Sequence, residues 1–252
     1  MIELRGRRVW VIGASSGIGA AVAAELVCRG CRVAVSARDA DALATIAGTT
    51  MLAEPLDFTD RDALATAHAR IRAQLGGLDI VVIAAGYWQR MEATSLDVDA
   101  VARHMQVNVL GMANAVATVL PAMQEQGSGA IVGISSVAGY RGMPGAQGYG
   151  ASKAAQLNLL ESLRCGLHGS GVLVQTVAPG FVRTPMTATN TFPMPFIIEA
   201  ARAARYIADG IARERAEIVF PPSMAAVMKL ARLVPNRLWA RAMAPRKRGA
   251  RS

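Results

Sequence analysis

Short runs of almost uniformly apolar residues alternate along the chain with longer stretches whose apolar positions recur at helical spacing. The strand-like runs cover residues 9–12, 33–36, 51–55, 80–84, 130–135, 173–178 and 217–220, and helix-like segments include 18–29, 61–75, 104–126 and 151–168. Several of the strand-like runs are apolar at every position instead of alternating, the pattern of strands covered on both faces. Regular alternation of strand and helix implies a parallel sheet with right-handed helical crossovers. No Pro/Ser-rich linker or composition break divides the chain. The pattern predicts an α/β fold over residues 1–252, one doubly wound domain with helices on both faces of a mostly parallel sheet.

At 252 residues, 52% hydrophobic and 18% charged, the chain can bury a full core and is not intrinsically disordered. Three cysteines are too few for a disulfide scaffold. Cys28 and Cys31 form a lone CxxC without a second pair or a nearby histidine, so packing at a helix-to-strand junction is expected there and no metal site. The histidines His68, His104 and His168 have no partners at ligand spacing and are expected on the surface or at helix ends.

The net charge of +9 is unevenly placed. Lys229, Arg232, Arg237, Arg241, Arg246, Lys247, Arg248 and Arg251 fall in the last segment, which holds no acid after Glu217. The basic balance therefore belongs to the C-terminal end, whereas a nucleic-acid enzyme spreads its cations over a binding face. No nucleic-acid partner is expected. Residues 5–24 imitate a signal peptide, but Gly13, Gly17 and Gly19 with Ser15 and Ser16 suit a strand-turn-helix better. The uncharged run 105–124 has the length of a membrane span. Because it holds Gln106, Asn108, Asn114, Gly111 and Pro121, it is expected to be a buried or subunit-facing helix of a cytoplasmic homodimer or homotetramer.

The first strand runs into Gly13-Ala14-Ser15-Ser16-Gly17-Ile18-Gly19 and then an Ala-rich helix. Glycines permit a tight turn and a close backbone approach to a pyrophosphate, and the helix N-terminus offers free N–H groups to it. In this context the turn points to dinucleotide binding. The second strand ends at Ser36-Ala37-Arg38. An acid there would hold both ribose hydroxyls and repel a 2′-phosphate, while Arg38 can pair with one, so NADP(H) is expected over NAD(H).

Ser135 and Ser136 follow the fifth strand, and Tyr149 and Lys153 stand four residues apart on one helix face. A phenol titrates near ~10. An adjacent ammonium favours the phenolate, which would make Tyr149 a usable acid and base. Ser136, at the carboxyl end of a strand, can hydrogen-bond a substrate oxygen as charge develops on it.

In these residues, together with Asp57, Ala85-Gly86, Asn108 and Pro179-Gly180, the chain resembles the short-chain dehydrogenase/reductase family. The resemblance implies a seven-stranded Rossmann sheet and a catalytic tetrad of Asn108, Ser136, Tyr149 and Lys153. Tyr149 would transfer the proton, Lys153 would hold the nicotinamide ribose and tune Tyr149, Ser136 would position the carbonyl oxygen, and Asn108 would hold a relay water. Gly13, Ser15, Ser16, Gly17, Ile18, Gly19, Arg38, Asp57, Ala85, Gly86, Tyr149, Lys153, Pro179, Gly180 and Thr184 would contact the cofactor. Asp57 resembles the family's adenine contact and Thr184 its nicotinamide-amide contact. Two departures stand out: Ile12 replaces the usual Thr before the first glycine, and Ala84-Ala85-Gly86 replaces Asn-Ala-Gly, which removes some bracing of the central sheet.

Residues 185–211 are expected to form a substrate lid. Its uncharged stretch from Pro185 to Phe196 suits an apolar ketone or aldehyde, with Tyr87, Trp88, Arg90 and Met143 as further wall candidates. The basic amphipathic extension 224–252 is expected to cap the domain or face another subunit, in preference to peripheral membrane contact. The sequence thus predicts an NADP(H)-dependent carbonyl reductase, reversible as an alcohol dehydrogenase. A non-catalytic dinucleotide sensor or scaffold on the same fold has no need of Ser136, Tyr149 and Lys153 together. An epimerase or dehydratase would call for a larger substrate domain than the chain has room for.

Overall fold

The structure, a computed structural model, describes residues 2–244. In chain order the elements are β1 (Arg8–Ile12), α1 (Gly17–Cys28), β2 (Arg32–Ser36), α2 (Ala40–Ala47), β3 (Leu52–Ala53), α3 (Arg61–Leu75), β4 (Ile80–Ile83), α4 (Val98–His104), α5 (Gly111–Gln126) and β5 (Gly129–Ile134). Then come α6 (Gln147–Gly166), β6 (Val172–Pro179), β7 (Val182–Arg183), α7 (Pro185–Ala188), β8 (Ile198–Glu199), α8 (Ala200–Ala212), β9 (Glu217–Phe220), α9 (Pro222–Ala231) and α10 (Asn236–Met243). A π-helical segment, Met105–Leu110, joins α4 to α5 without a break.

Seven strands form one parallel sheet in the order β3-β2-β1-β4-β5-β6-β9. This is the expected Rossmann-type arrangement, and the strand order reverses between β1 and β4, where ligands of such sheets bind. The uniformly apolar strands feed two cores at once. Val9 and Val11 of β1 join one core, while Trp10 and Ile12 join the other. Ile80 and Val82 of β4 likewise face opposite to Val81 and Ile83. Val22 and Leu26 of α1, Leu43 of α2 and Ile207 of α8 cover the first face. Leu64 and Ile71 of α3, Met112 and Val119 of α5 and Leu160 of α6 cover the second.

Local chemistry sets several boundaries. Asp60 Oδ1 accepts from Asp62 N (2.9 Å) and Ala63 N (3.0 Å) at the start of α3, and Gly76 in the left-handed region (φ 76°) ends it. At the start of β1, Asp79 Oδ2 accepts from Arg8 N (2.8 Å) and Arg8 Nε (2.9 Å), which ties β1 to the chain entering β4.

Several expectations are corrected. The run 51–55 shrinks to the two-residue edge strand β3, and the helix expected from 104 begins at Val98. The parallel pair β7–β8 was not anticipated. Within the segment 185–211 expected as a lid, Ala203, Ala204, Ile207, Ala208 and Ile211 of α8 are buried in the first core. Cys31 is buried with its Sγ donating to Leu4 O (3.2 Å), while Cys28 is exposed. The continuous helix Val98–Gln126 contains an 18-residue stretch of mean hydropathy 1.2, long and apolar enough to cross a membrane by length and composition. In this fold it packs Met112, Ala115, Val116, Val119 and Met123 into the second core. His168 is exposed as expected, but His68 and His104 are buried: one faces Trp10 in the second core, the other lies beside the site described next.

Candidate active site

The carboxyl ends of β1, β4, β5 and β6 deliver Gly13, Ala84-Ala85-Gly86, Ser135-Ser136 and Pro179-Gly180 to one edge of the sheet. A cleft of about 840 Å³ runs along this edge, within the range of small-molecule and cofactor sites. Every residue expected to contact a cofactor lines it, from the glycine turn through Arg38 and Asp57 to Thr184.

The glycine turn admits no side chain. Gly13 has φ 88°, and a Cβ on it would lie 2.3 Å from Ala85 N. A Cβ on Gly19 would lie 2.1 Å from Gly13 O. The turn is anchored by Gly13 N and Ala14 N, which both donate to Ser36 O (2.7 and 3.1 Å). Ser16 caps α1 without a side-chain hydrogen bond and the first turn holds no acid, so the leading amides of α1 remain open to an anion.

Arg38 and Ala37 line the cleft beyond β2. Asp39, also at the cleft, uses its Oδ1 to accept from Ala42 N (3.0 Å) and cap α2. Burial raises the Asp57 pKa, but hydrogen bonds from Thr59 N (2.9 Å) and Thr59 Oγ1 (2.8 Å), with the Arg38 charge, outweigh it and hold the carboxyl below its ordinary value.

On α6, Lys153 Nζ lies 5.5 Å from the centre of the Tyr149 ring and donates to Ile134 O (3.1 Å). Lys153 is only 4% exposed, and burial pushes its pKa down to about 7. Burial pushes the Tyr149 phenol up to about 12, with the Ser136 hydroxyl partly opposing it. This corrects the expectation that Lys153 lowers the Tyr149 pKa. The ammonium is turned to a main-chain carbonyl, and loss of hydration dominates both groups. Ser136 Oγ accepts from Ala138 N (3.1 Å), and Ser135 Oγ donates to Lys153 O (2.9 Å), which ties α6 to the end of β5.

The family model for short chain dehydrogenases matches residues 7–193. The chain belongs to the short-chain dehydrogenase family. It is 40% identical over 245 residues to an uncharacterised oxidoreductase of Myxococcus xanthus, covering 95% of this chain and 97% of that one. Among solved structures it resembles a short chain dehydrogenase of Burkholderia cenocepacia in complex with NADP, with a TM-score of 0.85 and 23% identity over 97% of this chain and 100% of that one. It also resembles a short chain dehydrogenase/reductase of Burkholderia phymatum in complex with NAD, with a TM-score of 0.83 and 24% identity over 91% and 94% of the two chains. The protein is an NAD(P)-dependent oxidoreductase acting on CH–OH groups. The side-chain-free turn, the open α1 amides and the cleft volume fit such a dinucleotide.

In this dehydrogenase Asn108 is fully buried within the π-helical segment, a device that often marks functional helices. Its Nδ2 donates to Tyr87 O (3.0 Å) and Ser152 Oγ (2.8 Å), and its Oδ1 accepts from Tyr87 N (2.7 Å). Its main-chain oxygen accepts from Gln156 Nε2 (2.6 Å). The Asn108 side chain thus holds the loop after β4 against α6. Gly86 in that loop would place a Cβ 3.5 Å from Asn108 Oδ1 and 3.7 Å from Lys153 Nζ.

The sequence did not single out Ser152, Gln156 or His104 for this site. His104 Nδ1 donates to Ala100 O (2.7 Å), and its Nε2 accepts from Gln89 N (3.2 Å). Its ring lies 4.7 Å from that of Tyr87 and 6.3 Å from that of Tyr149, and burial keeps its pKa below the ordinary value. None of the expected wall residues Tyr87, Trp88, Arg90 and Met143 lines the cleft; Trp88 meets Tyr149 edge-on with ring centres 5.0 Å apart, and its Nε1 donates to Asn190 Oδ1 (3.2 Å) beyond α7. The Arg90 guanidinium lies 5.8 Å over the Phe192 ring.

Proposed function

We propose that this dehydrogenase uses NADP(H) in preference to NAD(H) and reduces an apolar ketone or aldehyde, running in reverse as an alcohol dehydrogenase. The observation that carries this reading is the placement of Ser136, Tyr149 and Lys153 on the cleft that also holds Arg38. Three strand spacings separate β2 from β5 in the sheet, roughly 14 Å, a span suited to an extended dinucleotide. At the β2 side, Arg38 offers a fork of donors to a 2′-phosphate. Ala37 supplies no acid to repel it, and the Asp39 carboxylate is engaged as a helix cap.

At the β5 side, Tyr149 is protonated at neutral pH, as a donor to a carbonyl oxygen must be. Ser136 hydrogen-bonds that oxygen as negative charge grows on it. Lys153 holds the cofactor ribose, and Asn108 keeps the surrounding loop and α6 in register. The bound nicotinamide supplies the hydride; the chain supplies orientation and the proton. Met186 on the cleft, with Trp88 standing edge-on to Tyr149, supports an apolar substrate.

The test measures NADPH and NADH affinities of the wild type, then NADPH oxidation with ketones and aldehydes of graded chain length. Tighter NADPH binding and kcat/KM rising with apolar length are expected. Tighter NADH binding would overturn the cofactor assignment, and a preference for charged over apolar carbonyls would overturn the substrate class.

A further inference from the structure

We propose that the C-terminal helical pair α9–α10 is a docking surface for an anionic phospholipid bilayer. Helix α9 is apolar on two faces. Met224, Met228 and Ala231 are buried, the two methionines packed with Val137 and Ala178, and this face caps the fold as the sequence leads one to expect. The other face leaves Val227 51% and Leu230 65% exposed, Leu233 follows in the turn at 80%, and Leu238 on α10 is 55% exposed. No residue of α10 is buried. The chain itself leaves these four side chains uncovered, and exposed aliphatic clusters of this kind mark interaction sites.

The charges that α9 and α10 themselves carry are all positive. No acid follows Glu217 in the sequence. Lys229 pairs with Glu217 (2.8 Å) and Arg232 lies 5.3 Å over the Tyr140 ring, so these two cations also fasten α9 to the body. Arg237 and Arg241 stand four residues apart on α10 and pair with no acid among the described residues. Arg246, Lys247, Arg248 and Arg251 follow in the sequence and lie outside the described residues.

A second copy of this chain fits poorly, because a twofold contact would lay the cationic patch on itself. Nucleic acid would satisfy the charges but offers a polar, phosphate-lined surface to four large aliphatic side chains. An anionic bilayer satisfies both: the aliphatic side chains enter the headgroup boundary while Lys and Arg extend to the phosphates. The surface is coupled to the body where Trp239 Nε1 donates to Gly142 O (2.7 Å), with the Arg141 guanidinium 5.2 Å over the indole. That loop leads directly into α6, which carries Tyr149.

The test floats the full-length protein with phosphatidylcholine vesicles and with phosphatidylcholine mixed with phosphatidylglycerol, each at low and high salt. Flotation with the anionic vesicles at low salt, weakened at high salt and absent with pure phosphatidylcholine, is expected. The paired changes Leu230→Glu with Leu233→Glu, and Arg237→Glu with Arg241→Glu, should each reduce partitioning at least about tenfold. Both variants should keep wild-type NADPH binding and turnover of a soluble substrate, which separates lost docking from misfolding. The proposal is overturned by equal flotation with neutral vesicles or by no flotation at low salt. It is also overturned if both variants still float, if the leucine variant changes oligomeric mass, or if RNA displaces the protein from anionic vesicles.

Discussion

The main-chain nitrogen of Ala85 lies 2.3 Å from where a Cβ on Gly13 would stand. The first turn of the fold and the chain leaving β4 therefore touch backbone to backbone. Ile12 O reinforces the contact by accepting from both Ala84 N (2.8 Å) and Ala85 N (3.0 Å). These main-chain bonds brace the central sheet at the place where the family's usual Asn side chain is replaced by Ala84. Gly13→Ala would force a Cβ into that contact at φ 88°. The strain alone costs about 1 kcal/mol or more before the clash is counted. We expect a lowered Tm and a loss of cofactor affinity, read by fluorescence titration with NADPH. Wild-type affinity in this variant would show that the turn is not the pyrophosphate cradle.

Tyr149→Phe keeps the ring that packs against Trp88 and His104 and deletes the proton. Turnover should fall by roughly 10²–10⁴, the range for loss of a general acid, while NADPH affinity changes little. Turnover within a few-fold of wild type would remove Tyr149 from the proton-transfer step.

The parts of this protein that were legible in the sequence are those in which one residue reports its own environment. The helical spacing of apolar positions placed a helix at 61–75, the observed bounds of α3, which Asp60 and Gly76 cap. The all-apolar β1 and β4 announced a sheet covered on both sides. Elements whose identity depends on distant packing were not legible. The burial of α8 is set by its contact with α1, and without that contact it reads as more of the lid. His104 sits between Arg103 and Met105 in an ordinary helical run, and nothing local shows that it lies beneath Tyr149. The spacing of Tyr149 and Lys153 was visible, but the burial that drives their pKa values in opposite directions belongs to the folded state alone.

Cofactor choice should be reversible at the end of β2. Ala37→Asp with Arg38→Leu removes a phosphate partner and introduces repulsion toward it. The ratio of kcat/KM for NADPH to that for NADH should shift by at least about tenfold toward NADH, since a charge-assisted contact contributes about 1.5–3 kcal/mol. An unchanged ratio would show that the 2′-phosphate is not read at these two positions.

The last prediction concerns acid stability. His68 is 8% exposed, faces Trp10 with ring centres 6.2 Å apart, and its Nε2 has no hydrogen-bond partner among the described residues. Burial, aided by the Arg72 charge, pushes its pKa down from 6.5 to about 4. At neutral pH the ring is uncharged in both folded and unfolded chains, so its ionisation contributes nothing to stability there. As pH falls below 6.5 the unfolded chain binds a proton that the folded chain refuses until about 4, so stability is lost across that window. The full loss amounts to about 3 kcal/mol from this one group. His68→Phe keeps an aromatic ring against Trp10 and cannot titrate. Denaturant melts of both proteins at neutral pH and at several points down to about pH 4 should show the wild type losing stability more steeply. Parallel curves for the two proteins would mean that the folded state protonates His68 as readily as the unfolded chain does, and that the ring is not held neutral in the core.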